Sequence, residues 1–476
     1  MDNAPDILWL SLESVRADHT PMYGYKRDTT PSLDRFASQP ATTVFDNGIA
    51  QSLWTPASSA SMLTGTYLST HRVGQDGRAE KKLPAAIDTL PELLSDIGYE
   101  TALFSPNPYV SEATGLDRGF DHTTSVKAVP ESYSPFQSDA RIYWSEGLRR
   151  ILRSRKPNIV RIKHELKTTE NEVLEHHAKR WLNSTGANAD QFFAYMHIPG
   201  PHHPYFPNTD YLNCFTDEIS FSAEEAYNLV EDIYYGGSVA IKRRMAEGLD
   251  LSANEWEAIE AMYDATLRHM DDTVDALISK ARSVSDSLVV VVVGDHGELF
   301  GEHGLIGHNL ILHDNLIEVP MLISGIPDAT TDETTLTQQI DLTYTLGEIT
   351  GVTTDQFEGQ DIRNTGRKYA ISQRGRANLT SYTQYNNSFD TERFFKDPYT
   401  VVRSEEYKLA SNQNRTELYR LPDEDTDVKK HCDDVMAELR SVIDREAIEW
   451  TVGEQKRESH FGDSQLEQLK DLGYLS

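Results

Sequence analysis

The sequence predicts an α/β fold, a mostly parallel central sheet flanked by helices and followed by a smaller C-terminal α+β subdomain. Three observations carry that expectation. Residues 7–12, 288–293 and 321–323 are short, continuous apolar runs, the pattern of strands buried on both faces. Stretches with helical spacing lie between them, at 85–97 and 252–281. The second puts Trp256, Ile259, Met262, Tyr263, Leu267 and Met270 at helical intervals with acidic residues between. Strands alternating with helices define the α/β class. Finally, Glu13 and the pair Asp295-His296 each fall just past the end of an apolar run, where open sheets of this class bind ligands.

Taken in order, residues 7–12 form the first strand and end at Glu13. Residues 57–63 read as the first turns of a helix with Thr55 at its mouth, and 85–97 as another helix. Residues 192–196 have a strand pattern and lead into the proline-stiffened loop His197-Ile-Pro-Gly-Pro-His202-His203-Pro-Tyr205. The helix at 252–281 precedes the strand at 288–293. The glycines at 294, 297, 301, 304 and 307 then argue for a loop shaped around a ligand. After about residue 351 the texture turns polar, with strand patterns at 399–403 and 407–410 and a helical one at 428–450. These divisions predict an α/β domain over 1–360, with a basic helical insertion at about 128–180, and a subdomain over 361–476 with a small antiparallel sheet and a helix.

Composition narrows the function. The chain has 476 residues, enough for a large core, and carries 75 Asp and Glu against 45 Lys and Arg, a formal net charge of -30. That balance argues against nucleic acid as a partner, which demands a basic footprint. It fits a halophilic protein kept soluble in concentrated salt, with an ordinary acidic enzyme as the alternative. The cysteines, Cys214 and Cys432, imply no disulfide framework. The N-terminus lacks a basic region, and no apolar stretch approaches the ~20 residues that span a bilayer, so a soluble, cytoplasmic protein is expected. Against this acidic background, residues 141–167 are basic, with Trp144, Leu148, Ile151 and Leu152 at helical spacing. Two readings stay open for them: a peripheral contact with anionic lipid or polyanionic substrate, and a helix packed with its charges facing an acidic neighbour.

The candidate site combines three segments. Glu13, Asp295 and His296 offer the mixture of oxygen and imidazole that a divalent cation accepts, and the Thr55 oxygen could complete it. Metal coordination would lower the pKa of the Thr55 hydroxyl and aim it, while a helix N-terminus would favour an alkoxide and an anionic ester. The plain alternative for Thr55 is a helix cap. His308, in the run Asp295-His296-Gly-Glu-Leu-Phe-Gly-Glu-His303-Gly-Leu-Ile-Gly-His308, is a candidate to bind ester oxygens or protonate the leaving group, and His202 to contact substrate or act as general acid. His303, Asn107 and His71 are further polar groups expected to reach the pocket.

These segments resemble the sulfatase-type branch of the alkaline phosphatase superfamily over nearly the whole chain. The resemblance rests on Glu13 with Arg16-Ala-Asp-His19, the run Thr55 to Gly65 ending in Leu-Thr-Gly, Pro201-His202 through Tyr205, and Gly294 to Glu298 with Gly301-Glu-His-Gly304. It implies an alkaline phosphatase-like fold and a metal-dependent ester hydrolase. Sulfatases resemble Cys-x-Pro-Ser-Arg at the nucleophile and convert the Cys, or sometimes Ser, into formylglycine. This chain has Thr55, Ala57 and Ser59 at those places, so no formylglycine is expected. The Arg normally before Val319-Pro320 is replaced by Glu318. The set Glu13, Thr55, Asp295 and His296 is similar instead to that of lipoteichoic acid synthases and related phosphoglycerol transferases, which use Thr and bind Mn²⁺. The expectation is one divalent ion, Mn²⁺ or Ca²⁺ before Mg²⁺ or Zn²⁺, and cleavage of a phosphate or phosphodiester-type ester through Thr55. The substrate would be a small anionic ester, a glycan or a lipid headgroup. The alternatives are a sulfuric-ester hydrolase without formylglycine, a phosphoalcohol transferase acting on glycan or lipid headgroups, and a degenerate anion-binding protein.

Overall fold

A computed structural model describes residues 4–125, 149–150, 165, 170–326, 335–364, 366–446, 450 and 458–471. Its centre is a seven-stranded sheet built from β1 (Asp6–Leu12), β2 (Thr42–Val44), β3 (Glu100–Ser105), β4 (His122–Ser125), β5 (Phe192–Ile198), β6 (Leu288–Gly294) and β7 (Met321–Ser324), in the spatial order β2-β7-β6-β1-β5-β3-β4. Every neighbouring pair is parallel except those made by β7, which runs antiparallel to both β6 and β2. The expected mostly parallel sheet is present, and the run at 321–323 is its one antiparallel member.

Side chains alternate across each strand, so the sheet has two apolar faces. Leu8, Leu10 and Leu12 of β1 join Val290 and Val292 of β6 on one side, packed against Leu174 and Trp181 of the helix Glu170–Ser184 and Met262, Met270 and Val274 of the helix Ala253–Arg282. Ile7 and Trp9 join Phe193, Tyr195, Val289 and Val291 on the other, under Ala60, Met62 and Leu63 of the helix Thr55–Thr64 and Leu342 and Leu346 of the helix Gln339–Thr350. The long helix starts one residue after Ser252, whose side chain accepts from the Glu255 amide while its own amide donates to the Glu255 carboxylate 2.8 Å away. The helix expected over 85–97 is shorter, Leu90–Asp96, because Thr89 and Glu92 form the same reciprocal cap.

The C-terminal region holds four antiparallel strands, Ala370–Arg374, Tyr399–Arg403, Tyr407–Ser411 and Thr416–Arg420, covered by the helix Asp433–Arg445 through Leu439 and Val442. It is stitched to the large sheet's helical layer: the Gln373 amide donates to the Gln51 carbonyl at 2.7 Å, and the Ser52 hydroxyl donates to the Gln373 carbonyl at 2.8 Å. Most of the basic segment 141–167, and with it both readings given for it, peripheral membrane contact and packing on an acidic neighbour, lies outside the described residues. Of its described members, Arg149 pairs with Asp210 at 3.1 Å and Arg150 with Glu172. Among the described residues no helix is long and apolar enough to cross a membrane.

Candidate active site

The carboxyl ends of β1, β5 and β6 lie side by side, because Leu12 is in register with both Ile198 and Gly294. The segments leaving these strands therefore converge: Glu13 after β1, the His202-His203 loop after β5, and Asp295-His296 after β6. Gly200 permits the closeness, since a Cβ there would lie 2.2 Å from the Glu13 carbonyl oxygen. The helix Thr55–Thr64 points its N-terminus at the same place, and Thr55 is fully buried.

Thr55 is not a helix cap. Trp54 occupies the cap position, and the Thr55 Oγ1 instead stands 3.4 Å from Glu13 Oε1 and 3.4 Å from His296 Nε2. Asp295 Oδ1 accepts from the Ser14 and His296 amides at 2.9 and 2.7 Å. Its other oxygen, Oδ2, is buried with no hydrogen-bond partner, 3.5 Å from His296 Nε2. A buried carboxylate oxygen left without a partner is costly unless an ion meets it. His296 Nδ1 bonds the Gly297 carbonyl at 2.8 Å, which fixes the proton there and frees Nε2 as a donor of electrons. Burial pushes His296 down to about 3, so its imidazole is neutral, the form that ligates. Gln339 Nε2 ties the Gly294 and Asp295 carbonyls at 2.6 and 3.0 Å, which holds this turn in place. The donors Glu13, Asp295, His296 and Thr55 thus fit a divalent cation in kind.

Histidines form the other side. His308 lies with its ring 4.4 Å from that of His296 and 4.8 Å from that of His202, and His202 stacks on His203 at 4.3 Å. His308 Nδ1 bonds Glu298 Oε1 at 2.9 Å, while His203 Nδ1 stands 3.7 Å from Glu298 Oε2. Burial opposes charge on both partners, yet the pairing wins: Glu298 is held at about 2 and His308 is raised. Among the described residues, the group of three side chains whose ligand atoms all lie within 4.8 Å of one another is His202, His203 and His308. Glu13, Asp295 and His296 are spread more widely around Thr55.

Asn107 belongs to the cluster, its Nδ2 donating to Glu13 Oε1 at 2.5 Å. His71 does not. It is fully buried on the short helix Leu68–His71, with Nε2 3.0 Å from the Ser61 hydroxyl and Nδ1 accepting from the Val73 amide at 3.1 Å. His303 also lies elsewhere, at a left-handed backbone position, 3.7 Å from Asp425 and facing His313 at a ring separation of 5.7 Å. His71, expected to contact substrate, thus ties its own turn to Ser61 of the helix Thr55–Thr64, and His303, expected likewise, sits at the seam with the C-terminal sheet.

Three site groups escaped the sequence reading. Glu298 was signalled only as part of the Gly-Asp-His-Gly-Glu run, and His203 only by its adjacency to His202. His197 sits inside an apolar strand, where nothing in the sequence marks it, yet its Nε2 is 3.7 Å from Glu13 Oε2. Burial alone would lower His197, but the Glu13 carboxylate overrides it and raises the imidazole.

A buried threonine hydroxyl at a helix N-terminus, with carboxylate and imidazole groups at the strand ends of a mostly parallel sheet, fits an alkaline phosphatase-like α/β architecture. The chain belongs to the sulfatase family, whose pattern matches residues 5–352; members of that family are hydrolases of sulfate and phosphonate esters. It is similar to N-acetylglucosamine-6-O-sulfatase of Bacteroides thetaiotaomicron, 24% identical over 305 residues that cover 63% of this chain and 49% of that protein. The chain thus spans about half the length of that relative. It is also similar to Delta 4,5-hexuronate-2-O-sulfatase of the same organism, 20% identical over 469 residues covering 92% of this chain and 88% of the other. The crystal structure of the phosphonate monoester hydrolase of Agrobacterium radiobacter shares the fold, with a TM-score of 0.64 at 19% identity over 93% of this chain and 95% of that one.

Proposed function

We propose that this sulfatase-family protein is a metal-dependent hydrolase of phosphate or phosphodiester-type esters with Thr55 as its nucleophile. The observation that carries this reading is the Thr55 oxygen, buried 3.4 Å from both Glu13 and His296 beside the unpartnered Asp295 Oδ2. Glu13, Asp295, His296 and Thr55 would hold the ion, with Asn107 and Gln339 fixing Glu13 and the Asp295 turn. A divalent cation bound there supplies a lowered hydroxyl pKa and a counter-charge for the ester oxygens.

The chain's own groups supply the rest. Thr55 Oγ1 forms the new bond to phosphorus, its proton leaving towards Glu13 Oε1, and the bond to the leaving alcohol breaks in line. The first-turn amides of the helix face the anionic ester. His202 and His308 are the donors available to the ester oxygens and to the departing alkoxide. Water then cleaves the phospho-threonine and restores the hydroxyl. Formylglycine is an aldehyde made by oxidising a CH₂ carbon; the Thr55 Cβ carries a methyl group, and oxidation there yields a ketone. The names of the curated relatives favour a second reading, hydrolysis of a sulfuric ester of a sugar with Thr55 attacking sulfur.

The test uses purified protein in molar KCl, chelated and then supplied with Mn²⁺, Ca²⁺ or Zn²⁺. Nitrophenyl phosphate, bis-nitrophenyl phosphate, phenylphosphonate esters and nitrophenyl sulfate are compared, with Thr55→Ala alongside. Metal-dependent release of nitrophenol from the phosphorus esters, lost in Thr55→Ala, together with phosphate trapped on Thr55 by acid quench, is the expected result. Sulfate release that survives Thr55→Ala sinks the Thr nucleophile. Product that forms only with an added alcohol makes the protein a transferase. Asp295→Asn should abolish stoichiometric metal binding while His203→Gln leaves it; the opposite outcome moves the ion to the three histidines.

A further inference from the structure

A cleft with about 140 Å³ of solvent space opens beside the histidine cluster. His203 and His308 line it, and so do Lys242, Arg374 and Arg376. Its charge is the reverse of the molecule's. The chain carries 75 Asp and Glu residues, yet no described residue lining this cleft is acidic.

None of the three cations is neutralised in the ordinary way. Lys242, on the helix Gly237–Glu247, is half-buried and makes no ion pair or hydrogen bond among the described residues. Burial pulls its ammonium below the usual lysine range, and Arg78 nearby adds to the effect. Arg374 ends the strand Ala370–Arg374 and is buried. Its guanidinium donates to the carbonyls of Leu310, at 2.6 Å, and Phe395, and lies over the Tyr399 ring at 4.8 Å, but Nε has no partner. Among the described residues no carboxylate comes within ion-pair distance of it, and Asp397 acts on it only from farther away. Among the described residues, Arg376 pairs with Asp397 alone, at 3.9 Å, through a side chain that is 70% exposed. A buried or half-buried cation without a counter-ion raises the free energy of the empty protein, and an anionic ligand returns part of that cost on binding.

The main chain at Arg376 is also held in place. A Cβ at Gly77 would lie 2.1 Å from the Arg376 carbonyl oxygen, and one at Gly375 would lie 2.4 Å from that of Gln75. The Arg376 amide donates to the Gln75 carbonyl at 2.9 Å. Two chain segments therefore lock backbone to backbone at the cleft, so the main chain that carries Arg374 and Arg376 does not have to be ordered by the ligand.

We propose that this cleft is a subsite for a second anionic group of the substrate, borne on the leaving alcohol beyond the ester that is cut. The natural substrate is then a polyanion: an ester whose alcohol carries a further carboxylate, sulfate or phosphate. His308 and His203 line the cleft and also belong to the histidine cluster beside His296, so cleft and cluster adjoin. This inference rests on the reading that an anionic ester binds at Thr55.

Phenylphosphonate, which is not cleaved, and its meta- and para-carboxy derivatives test it by titration calorimetry at one fixed KCl concentration with Mn²⁺ present. Wild-type protein is expected to bind one carboxy derivative about tenfold tighter than phenylphosphonate, a preference that shrinks as KCl rises. The double variant Lys242→Met, Arg376→Ser should bring that ratio to about one at an unchanged melting temperature, and Lys242→Arg should keep it. Equal affinities in the wild type, no binding of any of the three, or a preference that survives the double variant overturns the proposal. The readout is a ratio of affinities without turnover. A protein that shows the ratio but cleaves no ester keeps the subsite and loses the hydrolase reading; one that cleaves esters at a ratio of one does the reverse.

Discussion

Gly200→Ala tests the convergence of the strand ends without touching a side chain of the site. Gly200 is not among the glycines at positive φ, so its backbone does not itself demand glycine. The contact is what matters: the new methyl would sit 2.2 Å from the Glu13 carbonyl oxygen and 3.4 Å from its nitrogen. Ordinary contact begins near 3.4 Å, so the two segments must part by about 1 Å. The Glu13 amide donates to the Ile198 carbonyl at 3.2 Å across the same junction, and that bond lengthens with the displacement. The Glu13 carboxylate then moves away from Thr55 and His296 by a similar distance. A shift of that size in a reacting constellation costs roughly a hundredfold in kcat/KM, and a displaced ligand weakens metal binding by roughly ten- to a hundredfold. Overpacking should cost about 1–3 kcal/mol of stability, which a protein of this size survives. Calorimetric titration with Mn²⁺ and turnover of the best phosphorus ester read both effects, with Gly462→Ala as control, where the nearest atom is 3.9 Å away. Wild-type metal affinity and turnover in a folded Gly200→Ala protein would refute the idea that Glu13 is placed by this contact.

Two stability predictions accompany it. His71 is pushed down to about 3 by burial, whereas an unfolded histidine titrates near ~6.5, so between these values the unfolded chain binds the extra proton. Its contribution is whole above about pH 6.5 and falls by about 1.4 kcal/mol per pH unit as the solution is acidified. Urea midpoints at neutral and mildly acidic pH should therefore fall less steeply in His71→Gln than in the wild type, and parallel slopes would contradict this. Lys408 is buried in the C-terminal sheet between Asp314, 2.7 Å away, and Glu424. Lys408→Met leaves two carboxylates facing each other and should cost about 3–5 kcal/mol in urea unfolding, part of it recovered by adding Asp314→Asn and Glu424→Gln. A neutral effect would mean that solvent reaches this seam.

How much of the molecule was legible in the sequence depends on how far each signal extends along the chain. β1 and β6 were legible because strands covered on both faces carry an unbroken apolar run. The short edge strands β2 and β4, Thr-Thr-Val and His-Thr-Thr-Ser, have no such run and passed unnoticed. The orientation of β7 was hidden too, since four residues bear no mark of direction. Glu13, Asp295 and His296 were readable because one rule, that ligands gather beyond strand ends, applies to each segment separately. The surroundings of His71 and His303 were not legible, because the partners that meet a histidine, Ser61 and Val73 for the first and Asp425 for the second, are fixed by folding. The cationic cleft was beyond reach for the same reason: Lys242, Arg374 and Arg376 come from segments that show no common pattern.

The departures from the family pattern at the nucleophile helix have a common physical sense. Where the pattern resembles Arg, this chain has Ser59, fully buried, its hydroxyl grouped with those of Ser11 and Tyr195. An arginine in that interior would bring a permanent cation beside the nucleophile; these hydroxyls bring none. Glu318, standing in for the other missing Arg, meets Arg403 of the C-terminal sheet, so a charge of the opposite sign is built in and answered there. The fixed positive charge facing the substrate lies instead on the far side of the histidines, at Lys242, Arg374 and Arg376. On the proposed function, a divalent ion held beside Thr55 would supply the charge that stabilises an alkoxide, and recognition of the rest of the substrate would fall to the cleft. Removing the ion should then abolish chemistry far more completely than it weakens binding of a carboxylate-bearing ligand, while Lys242→Met should weaken that binding and leave metal affinity intact.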